Sequence, residues 1–456
     1  MMKRRSYEMD MCRGPLLGKL LLFAFPLMLS GILQLLFNAA DIVVVGRFAG
    51  SQALAAVGST GAVSNLIVNA FIGLSVGANV LVARSVGAGQ REEASQAVHT
   101  SILLSLVCGS ALVVVGVALA RPLLEMMGTP ADVIEMSTVY MRIYFCGMPV
   151  IMLYNFGAAI LRSVGDTKRP LYFLIVAGVV NVLLNLFFVI VLGMDVDGVA
   201  LATVLSQAVS AGLIVLCLVR MEGPCRLNLK ELRIYKDKMI QIARVGLPAG
   251  LQGCVFSLSN VLIQSSVNSF GSVAMAGNTS ASNIEGFVYT GMNAIYQTAL
   301  SFTSQNLGAG QYKRIGKVMR LCLTLVCAVG LSMGLAAYLF RQPLLSIYSS
   351  DPAVIQYGGM RMMFICTLYF LCGVMDVMAG MMRGMGYSLM PMIVSLTGAC
   401  GLRVLWIFTI FAAYRTLPSL YISYPISWAV TALAHVGCYW YVRRKMPKED
   451  APLAPA

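Results

Sequence analysis

Charge is what this sequence has least of. Only 11% of its 456 residues are Asp, Glu, Lys or Arg, while 58% are hydrophobic and the mean hydropathy is +0.80. Soluble domains carry roughly a quarter charged residues, so a water-soluble core is excluded. Histidine is nearly absent: His99 and His435 lie far apart and neither has an acid or cysteine at a useful spacing. The twelve cysteines are scattered through apolar stretches without a C-x-x-C pair, so neither a zinc site nor a disulfide framework can be read from them. No G-x-x-x-x-G-K-[ST] loop occurs, which argues against transport driven by ATP hydrolysis in this chain. An intramembrane enzyme would need a clustered nucleophile and base or a set of metal ligands, and none is visible. No enzymatic activity, cofactor or obligate protein partner is expected.

Long apolar runs are what fills the chain. Ala53 to Ala83, for example, passes without one ionisable residue, and a helix needs about 20 residues to cross about 30 Å of hydrocarbon. Continuous runs of this length exclude a barrel, whose strands alternate over about 10 residues. Twelve spans are expected, near 20–46, 53–83, 97–120, 133–161, 171–193, 197–219, 239–269, 272–304, 316–340, 352–382, 389–413 and 420–442. Residues 1–5 followed by Leu20–Leu29 resemble a signal peptide, but the run continues past Pro26 to Val45 without a small-residue cleavage site, so it is read as the first span. Of the 33 Lys and Arg, 26 fall in or beside the termini and every second loop. By the positive-inside rule both termini are expected in the cytoplasm. The net charge of +14 is then mostly an orientation signal, and no nucleic-acid partner is expected.

The chain repeats. Arg162-Ser-Val-Gly-Asp-Thr-Lys-Arg-Pro170 matches Arg383-Gly-Met-Gly-Tyr-Ser-Leu-Met-Pro391 at an offset of 221, and Val86-Gly-Ala-Gly-Gln90 matches Leu307-Gly-Ala-Gly-Gln311 at the same offset. Pro26 finds Pro248 one residue out of register. The polar stretch near the middle divides the halves. The expected organisation is an N-terminal tail 1–13, a six-helix lobe 14–221, a cytoplasmic linker 222–238, a second six-helix lobe 239–445 and a tail 446–456. Six spans per half make the repeats parallel, an architecture of transporters with the substrate site between the halves. Pro26 and Pro248 are candidate hinges, or merely tolerated kinks.

A carboxylate at mid-bilayer costs about 2.5–3.5 kcal/mol on insertion scales, so each one needs a partner or a purpose. Three acids lie clearly inside the spans: Asp41, Glu285 and Asp376. Asp41 is near the outer end of the first span. Asn181 and Asn185 are four apart on the fifth, hence on one face, and Thr203 on the sixth reaches a similar depth. A carboxylate, two amide oxygens and a hydroxyl suit a hard cation such as sodium, or a carboxylate that alternately holds a proton. Taken singly, each Asn or Thr is as well explained by interhelical hydrogen bonding. The second half lacks this cluster, since Leu262, Leu402 and Trp406 stand at the repeat positions. There Glu285 and Asp376 are candidates for substrate binding or a second cation site, and Arg403 is a candidate structural partner for either acid, Asp376 in particular. The 29 Met, 19 Phe and 19 Tyr suit promiscuous recognition of flat cations, although most of them serve lipid-facing and packing positions.

With its two halves, the Pro26–Asp41 segment, the Asn181/Asn185 pair and the two Arg-x-x-Gly turns, the chain resembles the multidrug and toxic compound extrusion (MATE) family, in its NorM-like bacterial branch, over residues 14–445. The resemblance implies an all-α membrane protein whose twelve helices form two six-helix bundles around a V-shaped cavity. It further implies sodium- or proton-coupled export of small organic cations across the bacterial inner membrane. Asp41 matches the family's first-helix aspartate, and Asn181, Asn185 and Thr203 match its fifth- and sixth-helix polar group. Some relatives carry aspartate at the position of Asn185, which leaves Asp41 the one titrating member here. The second cation site that some relatives build from a seventh-helix glutamate and a tenth-helix aspartate is altered: the seventh span has no acid, and Glu285 on the eighth is the available replacement. The alternative is a flippase for lipid-linked saccharides. It would want a cavity rich in arginines for pyrophosphate, and intramembrane arginines beyond Arg142, Arg361 and Arg403 are few.

Overall fold

The structure is a computed structural model, and it describes residues 7–451 except the side chains at 51, 54, 58, 59, 62, 63, 65 and 66. Both expected tails therefore extend beyond the described residues.

Among those residues the chain forms twelve long helical rods, α1 (Leu16–Ala49), α2 (Ser51–Gly87), α3 (Arg91–Met126), α4 (Ile134–Cys146 and Met148–Ser163), α5 (Lys168–Val191), α6 (Val196–Arg220), α7 (Lys236–Asn268), α8 (Ser272–Gly308), α9 (Tyr312–Leu339), α10 (Pro352–Leu368 and Phe370–Gly384), α11 (Leu389–Phe411) and α12 (Ser423–Arg444), with short helices Leu229–Glu231, Arg341–Ser346 and Leu417–Tyr421 in the connections. Eight are long and apolar enough to cross a bilayer, and ten if the bent α4 and α10 each count as one span. The remaining two, α8 and α12, are long enough but too polar by composition. Asn278, Glu285, Thr298, Gln305 and Asn306 of α8, and Ser427, Thr431 and His435 of α12, are all buried, so these helices turn their polar groups toward protein rather than lipid.

The repeat is written into the backbone. The starts of α2 and α8, α3 and α9, and α5 and α11 are each 221 residues apart. The turns between these helices are made by glycines at the same offset with matching positive φ: Gly50 and Gly271 at 91° and 95°, Gly89 and Gly310 at 70° and 67°, Gly165 and Gly386 at 87° and 89°. Only glycine takes this backbone region at little cost, which is why the Gly-rich turns were the readable part of the repeat. The kinks correspond too, with α4 bent by 47° and α10 by 45°.

The chain forms two compact units, one holding the residues up to Asp10 with Ile32–Gly250, the other Met11–Gly31 with Leu251 onward. These differ from the lobes 14–221 and 239–445 expected from sequence, because the division falls inside α1 and α7. In each case it falls within five residues of the internal proline, Pro26 or Pro248.

In the first unit α2 meets the early part of α7 through small residues. A Cβ on Gly73 would strike the backbone of Gly250, and one on Gly77 the carbonyl of Ile242, the close approach that small residues permit between membrane helices. Residues 222–238, expected as a linker, are tied down: the Asn228 N–H donates to His99 Nε2 at 3.1 Å, the Tyr235 N–H to Thr100 Oγ1 at 3.2 Å, and Lys238 pairs with Glu93. In the second unit Met11, expected in a tail, is fully buried, with its N–H on Gln305 Oε1 at 3.0 Å and its carbonyl taken by Arg314 Nε at 3.1 Å.

Candidate functional site

The N-terminal polar cluster is built by α1 and α5. Gly178, Asn181 and Asn185 fall at i, i+3 and i+7, one face of α5, and Phe37 and Asp41 share a face of α1. The two faces meet: a side chain at Gly178 would run into the Phe37 ring, and two turns further on Asn185 Nδ2 donates to Asp41 Oδ1 at 2.5 Å. Asn185 Nδ2 also reaches Asn181 Oδ1 at 3.3 Å.

Immediately beyond these residues both helices widen into π-helical turns, Val45–Ala49 on α1 and Phe187–Val191 on α5, which pack against each other. Such turns recur at functional sites. An apolar cluster of Val44, Val45, Val189, Val196 and Val199 closes the region below.

One buried acceptor at this site lacks a donor. Asn185 is fully buried, and with its amide nitrogen committed to Asp41 and Asn181 its Oδ1 has no hydrogen-bond partner among the described residues. Asp41 itself is half-buried. The cluster thus places one carboxylate and the Asn181 amide oxygen on the Asn185 NH2 group and leaves the Asn185 oxygen unpartnered, with no cationic side chain hydrogen-bonded to it among the described residues. A buried acceptor without a donor costs about 1–3 kcal/mol, and a cation or proton arriving at the carboxylate supplies what is lacking. The Thr203 hydroxyl donates to the Val199 carbonyl of its own helix at 3.0 Å, which leaves its oxygen lone pairs free to accept. Sequence reasoning missed Tyr140 of α4, which lies close enough to Asp41 to feel its charge and stacks on Tyr144 at 6.4 Å. Its depth in the sequence matches Asp41, but an isolated tyrosine gives no signal.

The second unit corrects two expectations. Glu285 does not face an open space: Arg361 holds it bidentately, Nε to Oε1 at 2.9 Å and Nη2 to Oε2 at 2.7 Å, with Glu285 and Arg361 4% and 6% exposed. Arg361 Nη1 also donates to Asn278 Oδ1 at 2.8 Å, which accepts from the Tyr421 hydroxyl as well. In this structure Glu285 is engaged in a buried ion pair, with Arg361 rather than with Arg403.

Nor does Arg403 pair with Asp376. Its Nε donates to Ser427 Oγ at 2.8 Å, and its guanidinium lies over Tyr424 at 4.4 Å and Trp428 at 5.5 Å. Asp376 instead lies beside the Tyr289 hydroxyl and within the field of Arg383, whose Nη1 and Nη2 donate to Tyr296 and Gln252 at 2.8 and 2.6 Å. The expected pairing failed because similar depth along two helices says nothing about the rotation of each. Of the candidate hinges, Pro26 has its carbonyl taken by Ser30 Oγ at 2.8 Å, one turn on.

Comparison with known proteins agrees with this architecture. A profile of the MatE family matches residues 26–187 and again 248–409, one copy per repeat. A "probable multidrug resistance protein YoeA" of Bacillus subtilis is 30% identical over 436 residues, covering 93% of each chain. An "FAD transporter" of Shewanella oneidensis is 25% identical over 91% of this chain and 92% of its own.

Among solved structures, an outward-facing multidrug resistance MATE transporter superposes with a TM-score of 0.89 at 23% identity, over 97% of this chain and 99% of its own. A transporter from Pyrococcus furiosus, described as having a binding pocket of reversed polarity, does so at 0.90 with the same identity and coverage. With two family matches in the register of its internal repeat, a relative at 30% identity over nearly its full length and twelve helices in two sixfold repeats, the chain belongs to the MATE family of membrane transporters.

Proposed function

We propose that the protein is a secondary antiporter that exports amphipathic organic compounds, mostly cations, in exchange for inward Na+ or H+, by alternating access. The observation that carries this reading is the Asp41–Asn185–Asn181 cluster, with its one carboxylate and the unpartnered, buried Asn185 Oδ1. An exchanger needs a site whose occupancy depends on conformation, and a ligand shifts that equilibrium only by its differential affinity for the two states. Asp41 on α1 and Asn185 on α5 meet through one hydrogen bond, so a small movement of either helix changes the cation's shell.

A preference for cationic cargo rests on Asp376, which is half-buried beside the exposed ring of Tyr289. Several relatives named as multidrug resistance proteins support drug export, while one relative is named an FAD transporter. The orientation proposed from the basic loops puts both termini and residues 222–238 in the cytoplasm of a bacterial inner membrane.

The test is dye efflux from vesicles holding purified protein, with Na+ and pH gradients imposed separately. One gradient is expected to drive uphill export and to fail to do so after Asp41→Asn. Export that follows neither gradient overturns the antiport reading.

A further inference from the structure

The connection between α6 and α7 does more than join two helices: with the start of α3 it encloses a cleft. The cleft has a volume of about 480 Å3 and is lined by Ser95 and His99 of α3, Val219 of α6 and residues of the connection between Gly223 and Glu231. All of them belong to the first unit.

Hydrogen bonds hold its wall in shape. The chain turns at Gly223, whose φ of 96° favours glycine, and the Arg226 N–H closes the turn on the Gly223 carbonyl at 3.2 Å. The Leu227 N–H donates to the Leu218 carbonyl at 3.0 Å. His99 Nδ1 lies 2.7 Å from the Ser95 carbonyl, which assigns the ring proton to that nitrogen and leaves Nε2 to accept from the Asn228 N–H at 3.1 Å. Cys225 and Leu227, each 1% exposed, root the loop in the apolar core. The wall is thus ordered before any ligand arrives, which spares binding the cost of ordering a loop.

The charge on this wall is lopsided. Arg226 and Lys230 are exposed along it, and neither the guanidinium nor the ammonium has a hydrogen bond or ion pair among the described residues. Glu231, the acid on the wall, accepts from Asn228 Nδ2 at 2.6 Å. A cleft lined mainly by one sign of charge focuses its field on an incoming counter-ion. Ser95 adds a hydroxyl, and Val219, Pro224 and Leu227 add an apolar side.

We propose that this cleft binds a soluble phosphate monoester carried on an apolar or heteroaromatic body of nucleoside size. Its volume lies within the range of small-molecule sites, about 300–1,000 Å3. Arg226 takes the phosphate with its planar fork and Lys230 with a point charge, while the apolar side takes the body. None of the wall residues belongs to the Asp41 cluster. The inference rests on the proposed orientation only in drawing the ligand from the cytoplasm.

The experiment is titration calorimetry on the purified full-length protein in detergent at low salt, with no gradient present, so a failure of antiport in vesicles leaves its result standing. The probes are adenosine monophosphate, adenosine, and phosphatidate in mixed micelles. Native protein is expected to bind the monophosphate at least about tenfold more tightly than adenosine, a gap typical of hydrogen bonds to a charged group, and the gap is expected to narrow as salt is raised. Equal binding of the two, or no binding of the monophosphate, overturns the proposal without recourse to any variant. Displacement of the monophosphate by phosphatidate would assign the cleft to a lipid headgroup and overturn the soluble ligand. In Arg226→Gln with Lys230→Gln the advantage over adenosine is expected to vanish at an unchanged melting temperature. Arg233→Gln with Lys236→Gln removes the same charge from the same connection away from the cleft wall, and is expected to keep the advantage. Survival of the advantage in the first pair, or an equal loss in the second, would assign the binding to general positive charge and sink the cleft.

Discussion

Buried charges in this protein divide into those with an ion-pair partner and those without one, and the division is testable by removing one side of each. Glu285→Gln leaves Arg361 buried without its carboxylate. Breaking one side of a buried pair typically costs about 3–5 kcal/mol, so the variant is expected to melt several degrees lower, and the double variant Glu285→Gln with Arg361→Met is expected to recover most of the loss. Asp376 and Arg403 are expected to behave as strangers: Asp376→Asn and Arg403→Met should shift the melting temperature additively, with an interaction below about 0.5 kcal/mol in a double-mutant cycle. A strong rescue there would mean that the two groups pair after all.

At this scale the sequence was partly legible. Asp41, Asn181 and Asn185 were found because an intramembrane acid is rare and an i, i+4 amide pair fixes its own face; the structure joins them by hydrogen bonds. The Glu285–Arg361 pair was not found, because the partners are 76 residues apart on helices whose mutual rotation no local pattern encodes.

At the scale of elements, the contact between α1 and α5 sets the geometry of the cluster. Its tight point is Gly178 against Phe37. Gly178→Leu is expected to force the helices apart at an overpacking cost of about 1–3 kcal/mol, seen as a lower melting temperature together with slower transport, since Asn185 sits two turns along on the same face. Phe37→Ala in the same chain returns the space and is expected to recover the melting temperature. Failure of that rescue would separate the helix contact from the site. Helix positions were largely readable because long apolar runs and Gly turns at a fixed offset mark them. α8 coincides with the expected span 272–304 even though its buried polar side chains depress its hydropathy. The π-helical turns beside Asp41 and Asn185 had no readable signal, since an extra residue in a helical turn leaves composition and periodicity nearly unchanged.

At the scale of the whole molecule, the 221-residue repeat gives two units of the same plan with different interiors. The first carries an acid with amides, the second a network of arginines and aromatic rings. The division of the chain inside α1 and α7 was not legible, because a long helix reads the same whether one unit or two bury it. Orientation follows from the basic loops: a cysteine placed at position 230 is expected to resist a membrane-impermeant thiol reagent added to intact cells, and one at position 196 to react. Strong labelling at 230 would reverse the topology.

The function proposed for the whole depends on Asp41. Replacing it by asparagine keeps size and hydrogen bonding and removes the charge that makes cation binding depend on conformation. In vesicles holding equal amounts of folded protein, Asp41→Asn is expected to retain substrate binding and to lose uphill export under whichever gradient drives the native protein. Uphill export by the purified variant at the native rate would contradict the account.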